Sequence, residues 1–320
     1  MRLTLKEIDN LLKDLFETIE LIESESASKA RFNESGVVLF KSTYKNKRVA
    51  LKCFIDIENE NNLSKAKKEY NYITGFADVN GVVNAYELIA LTDDIDTTFG
   101  YIIVEEYFPE TLGQFIKKGK LTSHKFLMSF LEQMDRTLIK LHFNNKKPII
   151  HCDIKPSNIG IRNQNNHIEF VLFDFDIAIE SNGDREVSFS KLLGLTPEYS
   201  APEILNGINN QYNINNIISN KADIYSVGVI ALQLARNKSF IQQGDIENEC
   251  RQLPLKLQHI IYPLITKNQS ERSAVLLNQQ ETGNLIDFID KNKLLVLTLL
   301  SLVPILLGLL LILLLATMTW

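Results

Sequence analysis

Residues 149–160 read IIHCDIKPSNIG, and from His151 to Asn158 the stretch packs a histidine, an aspartate, a lysine and an asparagine into eight positions. A β-strand ending in a polar turn, punctuated by Lys155-Pro156-Ser157-Asn158, accounts for any one of these residues. It does not account for the spacing of Asp153, Lys155 and Asn158. That spacing is what a phosphoryl-transfer loop requires: such a reaction needs a carboxylate to orient the attacking hydroxyl and positive charge to neutralise the phosphates.

The elements that must position this loop follow from periodicity. Residues 37–40 and 49–55 are apolar runs flanking a polar turn near 45–47, which predicts a β-hairpin. A helix-like stretch covers 63–76. After an Asp/Thr-rich turn at 92–98, YIIVEEYF predicts a buried strand, and SHKFLMSFLEQMDRTLIKLHFNN has the 3.6-residue period of a long buried helix. The segment HIEFVLFDFDIAIE reads as a hydrophobic hairpin partner, and the remainder through ADIYSVGVIALQLA as mostly helical. The order is a small strand-rich lobe followed by a larger helical one.

With 320 residues, 45% of them hydrophobic, the chain can bury one large two-lobed core or two modest domains. A net charge of -5 argues against nucleic acid as a partner. Cys53, Cys152 and Cys250 lie far apart and show no metal-ligand spacing, which excludes a disulfide framework or zinc site and fits a reducing compartment. The first 24 residues are too charged for a secretory signal peptide. Within them Leu5, Ile8, Leu12, Leu15, Ile19 and Ile22 alternate three- and four-residue steps. They predict an amphipathic helix over 1–30 whose seam packs on the small lobe or pairs with another molecule. Residues 294–320 carry no charge. The most apolar part, about 22 residues, makes a helix of about 33 Å, enough for a hydrocarbon core of about 30 Å. Lys291 and Lys293 precede it, so the expectation is a C-terminal anchor over 294–316, with everything before it cytoplasmic and a short tail on the far side.

Several motifs then stand in one order: VALK ending at Lys52, HCDIKPSN at 151–158, DFD at 174–176, TPEYSAPE at 196–203 and DIYSVG at 223–228. In this the chain resembles a eukaryotic-type Ser/Thr protein kinase over about four-fifths of its length. The resemblance implies an α+β, bilobal protein-kinase-like fold over 31–290, with a small β-rich N-lobe and a larger α-helical C-lobe, to which one C-terminal transmembrane helix is added. It implies ATP and Mg²⁺ as cofactors. Lys52 is then expected on the α- and β-phosphates, paired with Glu69, and Asp153 is the catalytic carboxylate. Lys155 partners the transferred phosphate, and Asn158 and Asp174 ligate Mg²⁺. His151 is expected to support the magnesium loop, and Glu203 with Arg272 to form a buried structural ion pair. Lys155 and Thr196 match the pattern of kinases acting on serine or threonine.

Three positions depart from the family pattern. In the register of the Gly-rich loop that ends at Gly36 and Val38, which are expected to contact ATP, Arg31 and Asn33 replace the first two glycines. Cys152 replaces the arginine that would grip a phosphorylated activation loop, so control through Ser188 or Ser190 by that route is not expected. Asp176 replaces the glycine of D-F-G, where it either binds Mg²⁺ through water or is only solvated. The adenine-side gatekeeper aligns with Val104 or Glu105; Val104 is taken, which makes Glu105 to Tyr107 the hinge, with Glu105 and Tyr107 on ATP. The Asn-rich stretch 206–220 is expected to be an inserted loop. The reading is a membrane-anchored kinase that phosphorylates serine or threonine of cytosolic proteins. The alternatives are a pseudokinase scaffold and, against the TPEYSAPE and DIYSVG motifs, a small-molecule phosphotransferase.

Overall fold

The computed structural model describes residues 4–55, 61–93, 95–119, 122–143, 148–164, 167–180, 195–209 and 218–277. The chain divides into a compact unit, Met1–Leu276, and a remainder, Leu277–Trp320. The expected anchor at 294–316, most of the activation segment with Ser188 and Ser190, and the middle of the Asn-rich stretch lie outside the described residues.

The first lobe is a five-stranded antiparallel sheet in the order β1-β2-β3-β5-β4, with β1 at Ile19–Leu21, β2 at Val37–Tyr44, β3 at Lys47–Ile55, β4 at Ala85–Thr92 and β5 at Thr98–Glu106. The β2–β3 hairpin closes through Lys45 and Asn46, both at positive φ, as a two-residue turn matched to strand twist demands. Helix α3, Asn61–Gly75, packs on the face of β3 and β5 that carries Phe54 and Ile103.

The N-terminal segment is not one helix. A capping box between Thr4 and Glu7 starts α1, Leu5–Leu15, which ends where Ile19–Leu21 becomes the edge strand β1; a second helix, α2, follows at Glu25–Ser35. The seam is therefore divided. Ile8 and Leu12 are fully buried against Val38, Phe40, Leu51, Cys53, Ile102 and Val104 on the outer face of the sheet, whereas Leu15 and Ile22 are exposed. Burying the α1 residues on the sheet removes about 1.5–3 kcal/mol worth of apolar exposure per side chain.

The second lobe is built on α4 (Leu112–Lys117), α5 (His124–His142), α6 (Pro202–Asn209), α7 (Lys221–Arg236), α8 (Ile246–Arg251) and α9 (Leu255–Ile265). Two short antiparallel pairs join them: β6 (Ile149–Ile150) with β9 (Ile179–Glu180), and the hairpin of β7 (Ile159–Gln164) with β8 (His167–Leu172). Helix α7 is buried on every side from Ala222 to Leu234, the mark of a central core helix. Gly228 permits its contact with α9, since a Cβ there would stand 2.7 Å from that of Leu264.

Candidate active site

Lys52 lies mid-strand in β3, 5% exposed, and a lysine that buried needs a charge partner. It has two. Its ammonium donates to both oxygens of Glu69 on α3, at 2.8 and 2.9 Å, and to Asp174 just after β8. Burial works against the Lys52 charge, yet Asp174 and Glu69, with Asp176 and Glu105 behind them, outweigh it and hold the group protonated well above the ordinary lysine range. Burial raises Asp174 as well, but Lys52 overcomes it and brings the carboxyl down to about 2. Glu69 goes the other way, to about 7: burial dominates, and the neighbouring acids Asp174 and Asp176 add to it, because one ammonium serves several carboxylates. Glu69 also accepts from the Phe175 N–H at 3.2 Å, and Lys68 donates to the Ala178 carbonyl at 2.7 Å. Helix α3 is thus tied to the segment that carries Asp174.

The 151–158 loop forms the facing wall. Asp153 Oδ2 receives Lys155 Nζ at 2.7 Å and Asn158 Nδ2 at 3.0 Å, while its Oδ1 accepts from the Thr196 hydroxyl at 3.3 Å. Lys155 also donates to Thr196 Oγ1 at 3.0 Å. His151 Nε2 donates to the Phe173 carbonyl at 3.2 Å, and its Nδ1 accepts from the Asp153 N–H at 3.3 Å, so the imidazole links the two walls without touching the centre.

The loop conformation is strained at Cys152, which sits at φ 68, as does Asp174 on the opposite wall. A non-glycine residue there costs on the order of 1–3 kcal/mol. Asp223, at the start of α7, offsets this by accepting the consecutive N–H groups of His151 (2.8 Å) and Cys152 (2.9 Å) together with His142 Nε2 (2.8 Å). Burial opposes the Asp223 charge, but these partners, His142 first, outweigh it and keep the carboxyl below its ordinary range. Its role was not read from the sequence. The signal was there, an acid at the third position of a largely apolar helix. Farther out, Arg272 donates to both oxygens of Glu203, at 2.7 and 2.9 Å, which pins α6 to the helical lobe.

A profile of the protein kinase domain matches residues 33–295. The chain belongs to the protein kinase domain family. Similar proteins include a probable serine/threonine-protein kinase of Clostridium acetobutylicum, 30% identical over 63% of this chain and 28% of its own length. The serine/threonine-protein kinase atg1 of Dictyostelium discoideum is 27% identical over 60% of this chain and 28% of its own. The mitogen-activated protein kinase MKC1 of Candida albicans is 27% identical over 64% and 39% respectively. The chain thus spans between about a quarter and two fifths of these relatives. ATP and Mg²⁺ are the cofactors of the family.

Two site assignments need correction against the geometry of this chain. Where the family places a Gly-rich loop, this chain has α2. Gly36 is its C-cap, at φ 69, and its N–H is committed to the Phe32 carbonyl at 2.8 Å. It has no donor left for a phosphate, and a Cβ would meet Asn62 and the Ile55 carbonyl. Val38 pairs with Cys53 and points to the outer face, away from Lys52. Arg31, on α2, forms a two-pronged pair with Glu23, at 2.6 and 3.1 Å. Burial opposes its charge, but Glu23, and at longer range Asp174, outweigh it and raise its pKa.

The gatekeeper assignment also shifts by one. Val104 belongs to the outer-face core. Glu105 pairs with Ala50, and cross-strand partners share a face, so it is Glu105 that looks the same way as Lys52. The hinge accordingly begins at Glu106, with Tyr107 and Phe108 following. Asp176 keeps one buried carboxyl oxygen without a hydrogen-bond partner.

Proposed function

We propose that this chain is an ATP- and Mg²⁺-dependent serine/threonine protein kinase. The observation that carries the reading is the hydrogen-bonded set of Asp153, Lys155, Asn158 and Thr196 facing a Lys52–Glu69–Asp174 cluster. Asp153 has one oxygen held by Lys155 and Asn158 and the other engaged, among the described residues, only by a long bond from Thr196. The hydroxyl of an acceptor serine or threonine fits that second oxygen, which orients it and takes its proton as the phosphoryl group moves. Lys155 stands where it can meet the negative charge on that group, and Lys52 serves the α- and β-phosphates. Asn158 donates its Nδ2 to Asp153, which leaves its amide oxygen for a cation. With Asp174 this makes a hard oxygen set that would hold Mg²⁺. Mg²⁺ held there neutralises charge on the phosphates.

The acceptor class rests on Lys155 and Thr196 and on the similarity to serine/threonine-protein kinases. A pseudokinase reading draws support from α2, which removes the backbone donors of a Gly-rich loop. One assay separates the two: full-length protein with Mg·ATP and a generic basic protein, beside Asp153→Asn. Label on serine or threonine with wild type alone supports catalysis. ATP binding without transfer leaves the scaffold reading.

We further propose that residues 294–316 hold the protein to a membrane, with the kinase part on the cytosolic side. No helix among the described residues is long and apolar enough to cross one, so the support is the uncharged stretch behind Lys291 and Lys293. Retention in the pellet after alkaline carbonate extraction, lost on Leu306→Arg with Leu310→Arg, tests it; release of the wild type into the supernatant would refute it.

A further inference from the structure

Glu105 is 6% exposed, and its Oε2 is buried with no hydrogen-bond partner among the described residues. A carboxyl oxygen without a partner in the interior is costly and calls for an explanation. Its surroundings supply one. On the two flanking strands its register partners are Ala50 and Ala85, small residues that leave space beside the carboxyl.

The ligand's direction follows from the sheet. If Lys52 holds the phosphates of a nucleotide, the base must lie farther along the same face of β3. Toward Phe54 that face is filled by α3, through the packing of Val37, Phe54, Ala66 and Ile103. Toward Ala50, two residues or about 6.6 Å away, it meets Glu105. An aromatic surface lies below: the Phe108 ring rests on Gly160, where a Cβ would come within 2.3 Å of it, and stacks on Phe173 at 5.7 Å, next to Asp174.

Resting on the kinase reading above, we propose that Glu105 reads the nucleobase: its carboxyl O–H donates to N7 of adenine while its carbonyl oxygen accepts from the 6-amino group. The groups facing Glu105 fit that role. Burial raises its pKa, Glu69 on α3, Asp174 after β8 and Glu106 on its own strand add to the effect, and Lys52 on β3 opposes it; the net value, about 8, leaves a proton on the carboxyl at neutral pH. One donor beside one acceptor matches adenine, which presents an N7 acceptor next to an amino donor. Guanine presents two acceptors on that edge, so one of them would face the Glu105 carbonyl.

The test measures KM and kcat of the full chain for ATP, 7-deaza-ATP and GTP. Loss of one such bond in a buried site is worth about tenfold. Wild type should therefore show KM for 7-deaza-ATP and GTP about tenfold above that for ATP, with kcat for 7-deaza-ATP unchanged. Glu105→Gln, which keeps one donor and one acceptor, should retain the discrimination; Glu105→Leu should take ATP and 7-deaza-ATP equally. The wild-type comparison needs no variant to fold. Equal KM values for ATP and 7-deaza-ATP in wild type, discrimination surviving in Glu105→Leu, or its loss in Glu105→Gln would each overturn the inference while leaving the kinase reading intact. Failure of the wild type to bind ATP at all, read by calorimetry, would overturn both.

Discussion

The loop at 149–158 and the segment at 22–36 would serve opposite ends of the same triphosphate, and they are built on different principles. In the loop the working groups are side chains, and each stands in place: Lys155 and Asn158 converge on Asp153, at 2.7 and 3.0 Å. In the segment the family relies on backbone N–H groups exposed by glycine, and this chain has folded them into a helix whose last N–H, at Gly36, is already satisfied. What α2 offers instead is a guanidinium, Arg31, sensing the Asp174 carboxylate. A function carried by side chains tolerates a change of local backbone around it, whereas one carried by the backbone is replaced outright.

That contrast is sharpest where the side chains are removed. Lys52→Ala or Asp174→Ala should lower kcat by a factor of about 100 or more, because each takes away a charge facing the phosphates. Near-normal protein phosphorylation in both would break the comparison from its stronger side. Asp223→Ala acts at one remove: it leaves the donors of His142, His151 and Cys152 unpaired in the core. The expected loss is about 3 kcal/mol of stability, read by urea denaturation, with the strained loop released and turnover gone. A variant of wild-type stability would show that Cys152 keeps its φ without help.

The side-chain half of the site was legible because its chemistry is tied to residue type at fixed spacing. Periodicity located the β2–β3 hairpin, α3 and α5 for the same reason: burial on one face imposes a period. Three features were not legible. The division of 1–30 into two helices and a strand depends on the pairing of Ile19–Leu21 with β2, a long-range contact that overrides a local heptad pattern. The placement of Glu105 rather than Val104 in the cleft hangs on strand register, since a shift of one residue exchanges the two faces of a strand. Gly36 was read as a loop glycine when its positive φ ends a helix, and both uses leave the same residue in the sequence.

Arg31→Ala sharpens the weaker side. If the guanidinium has taken over from the missing backbone donors, KM for ATP should rise about fivefold with kcat within twofold, the effect of losing one partly exposed charge-assisted contact. Glu23→Gln frees Arg31 from its pair and should leave KM unchanged or lower it. A rise in KM with Glu23→Gln as large as that with Arg31→Ala would mean that the pair only holds α2 in place.

The last expected effect concerns stability, and it distinguishes the small-lobe wall, where acids outnumber cations, from the loop, where Asp153 is matched by Lys155. Glu105 has a folded pKa of about 8 against an ordinary 4.5. A group whose folded value is raised contributes fully below the unfolded value, and that contribution is lost as pH climbs through the folded one. Here the unfolded chain releases the proton from about pH 4.5 upward while the folded chain retains it, so stability drains away until about pH 8 and then levels off. Glu105→Gln removes this titration and keeps the shape. Its melting temperature relative to wild type should therefore rise between pH 5 and pH 8, by about 10 °C, and stay constant above. Glu69 titrates in the same direction but is present in both proteins, so it largely cancels from the difference. A difference between variant and wild type that stays flat from pH 5 to pH 9 would mean that the Glu105 carboxyl is ionised in the fold, with Lys52 answering its charge, and the two walls of the cleft would then be electrostatically alike.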